Sequence, residues 1–210
     1  MARSSPAGED EAMVGSLTQE RVRRDIEVLS RAGLDMATFL EEADASLRRA
    51  VPFRGACVAL VDPASLLLTG TYKFGDLHGN DTQDHAWGLI EYGAEDETTS
   101  FYELARRGVG AMAMHLETGG DIARSVRMRE LIHPYFGYSD ELRMIARDGR
   151  RTWGALAMFR AIGDAAFTEP EVDFVASLST AYAVGLRSGL LARLAASPCQ
   201  AAPTGPAVVI

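Results

Sequence analysis

From Leu17 to Val51 apolar residues return every three or four positions, the spacing of two amphipathic helices broken at Gly33. The second opens after Asp35, an N-cap type, and sets Met36, Phe39, Leu40, Ala43 and Leu47 along one stripe until Pro52 stops it. The spacing then changes. GACVALVD and LLLTGTYKF read as an antiparallel strand pair joined by the turn Asp62-Pro63-Ala64-Ser65. FGDLHGNDTQDH is a loop of turn formers and acids, and HAWGLIEY after it is predicted as a short strand. TSFYELARRG is predicted as a helix that starts at Thr98–Ser100 and ends at Gly108, VGAMAM as a strand, and DIARSVRMRELIH as an Asp121-capped helix ending at Pro134.

A hairpin follows, with ELRMIA running into Asp148-Gly149 and TWGALAMF running back. From Trp153 to Phe159 no polar residue falls on either face of that returning strand. Antiparallel sheets normally leave one face to water, so this sheet must be covered on both. Thr168-Glu169-Pro170-Glu171 is a capping box with proline in the first turn, and the helix it opens is predicted to run to about Ala195. Its stripe is Val172, Val175, Leu178, Ala181, Tyr182, Leu186 and Leu190. The element order implies an α+β fold, an antiparallel six-stranded or five-stranded sheet with the N- and C-terminal helices on one face and loops and short helices on the other. A roof of that kind over an apolar sheet is a natural place for a small-molecule pocket.

Composition narrows the function classes. The chain has 210 residues, 47% hydrophobic and 24% charged, which suits one globular domain. Residues 1–15 are expected to be a disordered leader, 16–196 the domain, and 197–210 a linker (SPCQAAPTGP) with the first residues of a truncated following domain (AVVI). A formal charge of −8 gives no general attraction to nucleic acid or anionic membrane. Lys73 is the only lysine, which reads as base-composition bias. No apolar run approaches the roughly 20 residues of a membrane span, and no hydrophobic signal core opens the chain. Cys57 lies in an apolar strand and Cys199 in the Pro/Ala tail, a pattern that fits neither a disulfide framework nor a zinc site and suits the cytoplasm.

The closing stretch RTWGALAMFR…AFTEPEVDFVASL resembles the end of the GAF domain family, in which a Gly-x-Leu strand precedes a Phe-Thr-x-x-Glu helix start. WGLIEYG-x-E-D-x-x-S-F-x-E-L-A, GGDIARSVRMREL, the D-E-L-R segment and WGALAMFR are similar to one group within it. That group comprises the GAF-like sensory regions at the N-terminus of actinobacterial LuxR-type helix-turn-helix regulators. The resemblance spans about residues 18–196. It implies a non-enzymatic domain for small-molecule sensing and dimerisation in a transcriptional regulator, with the DNA-binding part absent from this chain and a homodimer formed through the terminal helices. The alternatives are a ligand-free interaction module or a GAF-fold enzyme such as a free methionine sulfoxide reductase. It names no ligand or cofactor, and neither target genes nor the sign of regulation can be read from it.

Several residues are candidates for chemistry. His78, Asp81, Asp84 and His85 share a loop but match no metal-ligand spacing, so no metal is assigned. Cys57 reads as core, because sulfoxide chemistry needs further cysteines to resolve a sulfenic acid. Gly119-Gly120 before Asp121 reads as a turn, and the acid there would repel an anion. Arg124, Arg127 and Arg129 crowd one predicted helix and Arg143 interrupts the incoming strand. Arg127 and Arg143 are candidates to clamp an anionic ligand, and the competing reading pairs them with Glu130, Asp140 or Glu141. Trp87, Tyr92, Tyr102, Met112, Met114, Tyr135, Tyr138, Met144 and Met158 are candidates for an adaptable pocket wall, though the same residues also suit a dry core. The ligand-binding set is thus Trp87, Tyr92, Tyr102, Arg127, Tyr138, Arg143, Met144 and Met158.

Overall fold

The Asp148-Gly149 hairpin is the axis of the sheet. In the computed structural model, which describes residues 6–93 and 97–196, β4 (Tyr138–Asp148) and β5 (Arg151–Ala161) pair along most of their length. Gly149 takes the turn at φ +59°, a conformation open to glycine at little steric cost. The other side of β5 takes β1 (Gly55–Val61), and β1 takes β2 (Leu68–Gly75). A short β3 (Ala111–Ala113) closes the far edge on β4. The result is a five-stranded antiparallel sheet in the order β2-β1-β5-β4-β3.

The terminal helices cover one face. They are α1 (Pro6–Arg31), α2 (Met36–Leu47), α7 (Glu169–Ser177) and α8 (Ser179–Ala196). Asp35 caps α2 by accepting from Ala37 N and Thr38 N, and the Thr168/Glu171 capping box opens α7. Val22, Ile26, Phe39, Leu40, Val175, Tyr182 and Leu186 descend onto Val58, Leu142, Met144, Leu156 and Met158. Two glycines set how closely these layers approach. A Cβ on Gly154 would stand 2.4 Å from Leu186 Cδ1, and one on Gly185 would stand 2.1 Å from the Phe39 ring. The gap in the all-apolar strand is therefore the seat of α8, and the gap in α8 is the seat of Phe39.

The middle of the chain covers the other face, as the doubly apolar strand demands. Ala155, Ala157, Phe159, Ile145 and Cys57 meet Leu77, Phe101, Leu104, Met112, Met114, Met128, Leu131 and Ile132. Four elements differ from the sequence reading. HAWGLIEY is not a strand but helix α3 (Asp84–Gly93), whose Ala86, Trp87 and Ile90 face the core at helical spacing. Nearly every residue of that stretch is apolar, so alternation could not separate helix from strand. Helix α4 (Phe101–Arg107) keeps its predicted Ser100 cap and Gly108 stop, and β3 gives way after Ala113 to α5 (Met114–Thr118).

Asp121 caps nothing. It precedes one 3₁₀ turn, Ile122–Arg124, and the cap belongs to Ser125, whose Oγ accepts from Met128 N at 3.2 Å. The helix after Ser125 also runs through Pro134 rather than stopping there, into α6 (His133–Phe136). Proline removes one helix donor and crowds the preceding turn, and the widened π turn Met128–Ile132 before it accommodates both. The long C-terminal helix is bent by 42° between α7 and α8. Ser179 at the joint donates to Ile145 O at 2.6 Å and accepts from Arg147 N at 3.1 Å, which docks the bend on the irregular end of β4.

Residues 6–15 of the expected leader belong to α1. The expected linker and following domain at 197–210 lie outside the described residues, as do residues 1–5. No single helix among the described residues is long and apolar enough to cross a membrane. Overpacking a closed core costs about 1–3 kcal/mol, so Gly185→Ala is expected to lower the unfolding free energy by that amount, seen as a lower urea midpoint with an unchanged slope. An unchanged midpoint would mean that α2 and α8 are not packed this closely.

Candidate functional site

Between the second face of the sheet and α3 lies a cavity of about 410 Å³. Its floor is Cys57, Ala59 and Ala157, one side is the edge strand from Leu68 to Thr71 with Lys73, and α3 supplies Asp84, Trp87, Gly88, Glu91 and Tyr92, with Phe101 at the end. The backbone puts them there for simple reasons. Strand alternation points Tyr72 and Phe74 to the terminal-helix core and leaves Thr71 and Lys73 for the opposite face. Helical spacing puts Asp84, Trp87, Gly88 and Glu91 on one side of α3. A Cβ added to Gly88 would meet nothing within 4 Å, so the missing side chain is part of the open volume.

Three polar groups are held firmly at this wall. The Lys73 ammonium donates to Asn80 O at 2.6 Å, to Asp81 Oδ1 at 2.8 Å and to Asp84 Oδ1. Burial opposes the charge on Lys73, but the two carboxylates prevail and its pKa lies above the ordinary lysine value. Tyr92 Oη accepts from Leu68 N at 2.6 Å and donates to Leu66 O at 3.3 Å, which ties α3 to the β1–β2 turn. Leu66 itself sits at φ +62°, unusual for a side chain of its kind, so the Tyr92 contact braces a strained corner. Burial pushes the Cys57 thiol up to about 12, which keeps it a protonated small hydrophobe.

Behind the cavity lies a buried ionic network. Arg127 and Arg143 are both fully buried, their side chains 0% exposed. Arg127 donates from Nε and Nη2 to Glu141 Oε2 at 3.0 and 2.8 Å, and its Nη1 lies 3.5 Å from Glu97 Oε1. Arg143 Nη2 donates to Glu91 Oε2 at 2.9 Å and Oε1 at 3.1 Å, and its guanidinium lies 3.6 Å from the centre of the Phe101 ring. Glu91 Oε1 also accepts from Phe101 N. Glu97 accepts from Thr99, Ser125 Oγ and Arg127 N. Burial alone would raise the Glu97 carboxyl, but the Arg127 charge and these hydrogen bonds hold it down to about 2.

The sequence candidates therefore separate. Trp87 and Tyr92 line the cavity. Tyr102 is exposed and lies in a separate shallow groove with Ser100 and Glu103. Tyr138 is buried, stacked on Phe159 with ring centres 5.0 Å apart, and burial lifts its phenol to about 12. Met144 and Met158 point to the opposite face, into the terminal-helix core, because they sit one residue out of phase with Arg143 and Ala157. Met112 and Met114 are core on the cavity's face, and Tyr135 is exposed. Arg127 and Arg143 clamp carboxylates as their geometry allows, but those carboxylates are the protein's own. Asp140, offered as one of their partners, instead accepts from the backbone N–H of His115, Glu141 and Phe167.

Lys73, Asp84, Glu91, Gly88 and Phe101 were not singled out as pocket residues. The one available signal was Lys73, a lone lysine among arginines on an alternating strand. Asp81 and Asp84, weighed as metal ligands, converge on that lysine instead. Among the described residues no group of three or more His, Cys, Asp or Glu is placed to hold a metal ion. A larger, shallower groove of about 660 Å³ runs past Arg54, Arg160 and Glu171, but Arg54 is committed to Asp164, and Arg160 to Glu171 and three backbone carbonyls.

The fold, an open five-stranded antiparallel sheet covered on both faces, recurs in solved structures. The inactive-state GAF domain of Nlh2 from A. aeolicus superposes with a TM-score of 0.51 at 12% identity, over 86% of this chain and 99% of that one. This is a GAF fold. The LBD domain of VqsR from Pseudomonas aeruginosa matches with a TM-score of 0.50 at 12% identity, over 84% of this chain and 96% of that one. No protein-family model matches the sequence, and no curated protein matches it. At such identities the likeness is one of fold, and the cavity of this GAF fold has to be read from its own residues.

Removing one partner of a buried ion pair costs about 3–5 kcal/mol. Arg143→Met is expected to destabilise the protein by that order in urea, and Glu91→Gln with Arg143→Met together to recover part of it. Full stability of Arg143→Met would instead mean that Arg143 is held for a ligand. The acid limb offers a second check. The folded pKa of Glu97 lies below the ordinary 4.5, so its contribution is complete above that pH and is lost as pH falls towards about 2. Glu97→Gln is expected to be less stable at neutral pH and to lose less than the parent on acidification from pH 5 to 3.

Proposed function

We propose that this chain is a non-enzymatic sensory domain that binds a small molecule in the cavity beneath α3 and passes the change to its terminal helices. The cavity itself carries the reading. It lies between sheet and helix with a mouth open to solvent, is walled by aromatic residues, and has charged groups at its edge held in fixed positions, the pattern of a ligand site rather than of a packing defect. A protonated Cys57 and a Lys73 held as an ammonium ion both favour binding over covalent chemistry. The signal moves by population shift: a ligand that favours one position of α3 favours one arrangement of everything tied to Glu91.

The LuxR-type regulator setting, in the cytoplasm, rests on the sequence resemblance. Dimerisation through the terminal helices has a structural argument as well. Val14, Leu17 and Val28 on α1 and Leu191 and Leu194 on α8 are large apolar side chains left exposed on helices that already pack on each other. A second copy would cover them, and a tilt of α8 then becomes a tilt of one subunit against the other.

Native mass spectrometry on gently purified protein tests both parts. The expected result is a dimer with a reproducible added mass, and loss of that mass without loss of the dimer in Gly88→Leu, which fills the cavity from α3. A dimer that never carries added mass, even after incubation with a metabolite extract, would leave a ligand-free interaction module as the better reading. A monomer throughout would remove the proposed route by which the signal leaves the domain.

A further inference from the structure

We propose that the cavity selects a small organic cation, a protonated amine on an apolar or aromatic body, over an anion; this rests on the cavity being a ligand site. The argument is one of spare hydrogen-bonding capacity and net charge. Lys73 is the only basic residue that lines the cavity, and an ammonium has three donors. All three are used, by Asn80 O, Asp81 and Asp84. An incoming carboxylate or phosphate finds no free donor there and would have to displace a protein carboxylate to gain one.

Acceptors on the lining residues, by contrast, are left over; the unpartnered donors nearby, Arg143 Nε and Nη1, belong to a residue that does not line the cavity. Asp84 holds Lys73 through Oδ1 alone, and among the described residues its Oδ2 accepts no hydrogen bond. Glu91 Oε2 accepts a single donor, from Arg143, and a carboxylate oxygen can take two. The charges point the same way. Lys73 with Asp81 and Asp84 sums to −1, and Arg127 and Arg143 against Glu91, Glu97 and Glu141 again sum to −1. Asp84 and Glu91 line the cavity; water reaches and screens Asp81 and Asp84, whose side chains are 75% and 42% exposed, whereas the Arg127–Arg143 group is buried and little screened. Trp87 adds an indole, the aromatic ring best suited to a cation. A protonated amine supplies both the donors and the positive charge that this wall lacks.

Three probes that share an indole body separate charge from shape: tryptamine (cation), tryptophol (neutral) and indole-3-acetate (anion). Amide shifts of β2 and α3 in ¹⁵N-labelled protein at pH 7 report binding in the cavity. Tryptamine is expected to bind at least about tenfold more tightly than tryptophol, with indole-3-acetate the weakest. Asp84→Asn is expected to weaken tryptamine by about three- to tenfold and to leave tryptophol within about twofold, which shows the fold intact. Indole-3-acetate binding as tightly as tryptamine, or Asp84→Asn leaving tryptamine unchanged, would overturn the charge preference while keeping the cavity as a ligand site. Absence of shifts in β2 and α3 with all three at millimolar concentration would overturn both.

Discussion

Two guanidinium groups with no access to water decide how the second face of this sheet is built. Dehydrating a charged side chain costs several kcal/mol, and the cost is met only by well-placed opposite charges and hydrogen bonds. For Arg127 and Arg143 those come from Glu91 on α3, Glu97 before α4 and Glu141 on β4, with Thr99 Oγ1 accepting from Arg127 and Ser125 Oγ donating to Glu97. No two of these carboxylates lie on the same element, so the roof cannot form piece by piece. Helix α3, the turn into α4 and the Ser125 helix start must arrive together or leave buried charge unanswered. The face under the terminal helices has no such condition, because its contacts are apolar and tolerate small shifts.

The cavity is what that assembly leaves open, and Glu91 belongs to both. Its carboxylate lines the volume and also holds Arg143 and Phe101 N. A movement of α3 is therefore a movement of the network. The network in turn sits on β4, and β4 is also the strand to which the C-terminal helices are tied. Asp140, next to Glu141, accepts from Phe167 N just before α7, and Ile145, two residues after Arg143, accepts from Ser179 at the α7–α8 joint. One strand thus presents its charged side chains to the cavity's face while its backbone and Asp140 hold the C-terminal helices. The network behind the cavity and the C-terminal helices therefore share one element.

Much of the fold could be read from the chain because the features that announce it are local. The Asp35 cap, the Thr168/Glu171 box, the Asp148-Gly149 turn and the Ser100–Gly108 helix each depend on residues within a few positions. The doubly apolar strand from Trp153 to Phe159 announced a sheet covered on both sides before any long-range contact was known. Readings failed where the deciding partner was distant. HAWGLIEY is a helix because Trp87 and Ile90 have a core to meet, and Ser125 rather than Asp121 caps its helix in a setting where Ser125 Oγ also donates to Glu97. Met144 and Met158 were placed near a pocket from composition alone, whereas the phase of β4 and β5 sends them to the other side.

The arginines show the same limit most sharply. Arg127 and Arg143 each make two hydrogen bonds to a carboxylate, and in both cases it is the protein's own. The sequence holds 29 acidic residues, and nothing local distinguishes Glu91, Glu97 and Glu141 among them. What separates a ligand clamp from a structural clamp is whether the protein supplies enough acceptors of its own, a count available only after folding. Here the carboxylates outnumber the cations, although Arg127 Nη1 and Arg143 Nε and Nη1 are left without a hydrogen-bond partner. Three carboxylates answer two guanidiniums, and two carboxylates answer the single ammonium of Lys73. The surplus of carboxylates over cations is one on each side of the cavity wall, and it is this surplus, not the two buried arginines, on which the proposed preference for a cation rests.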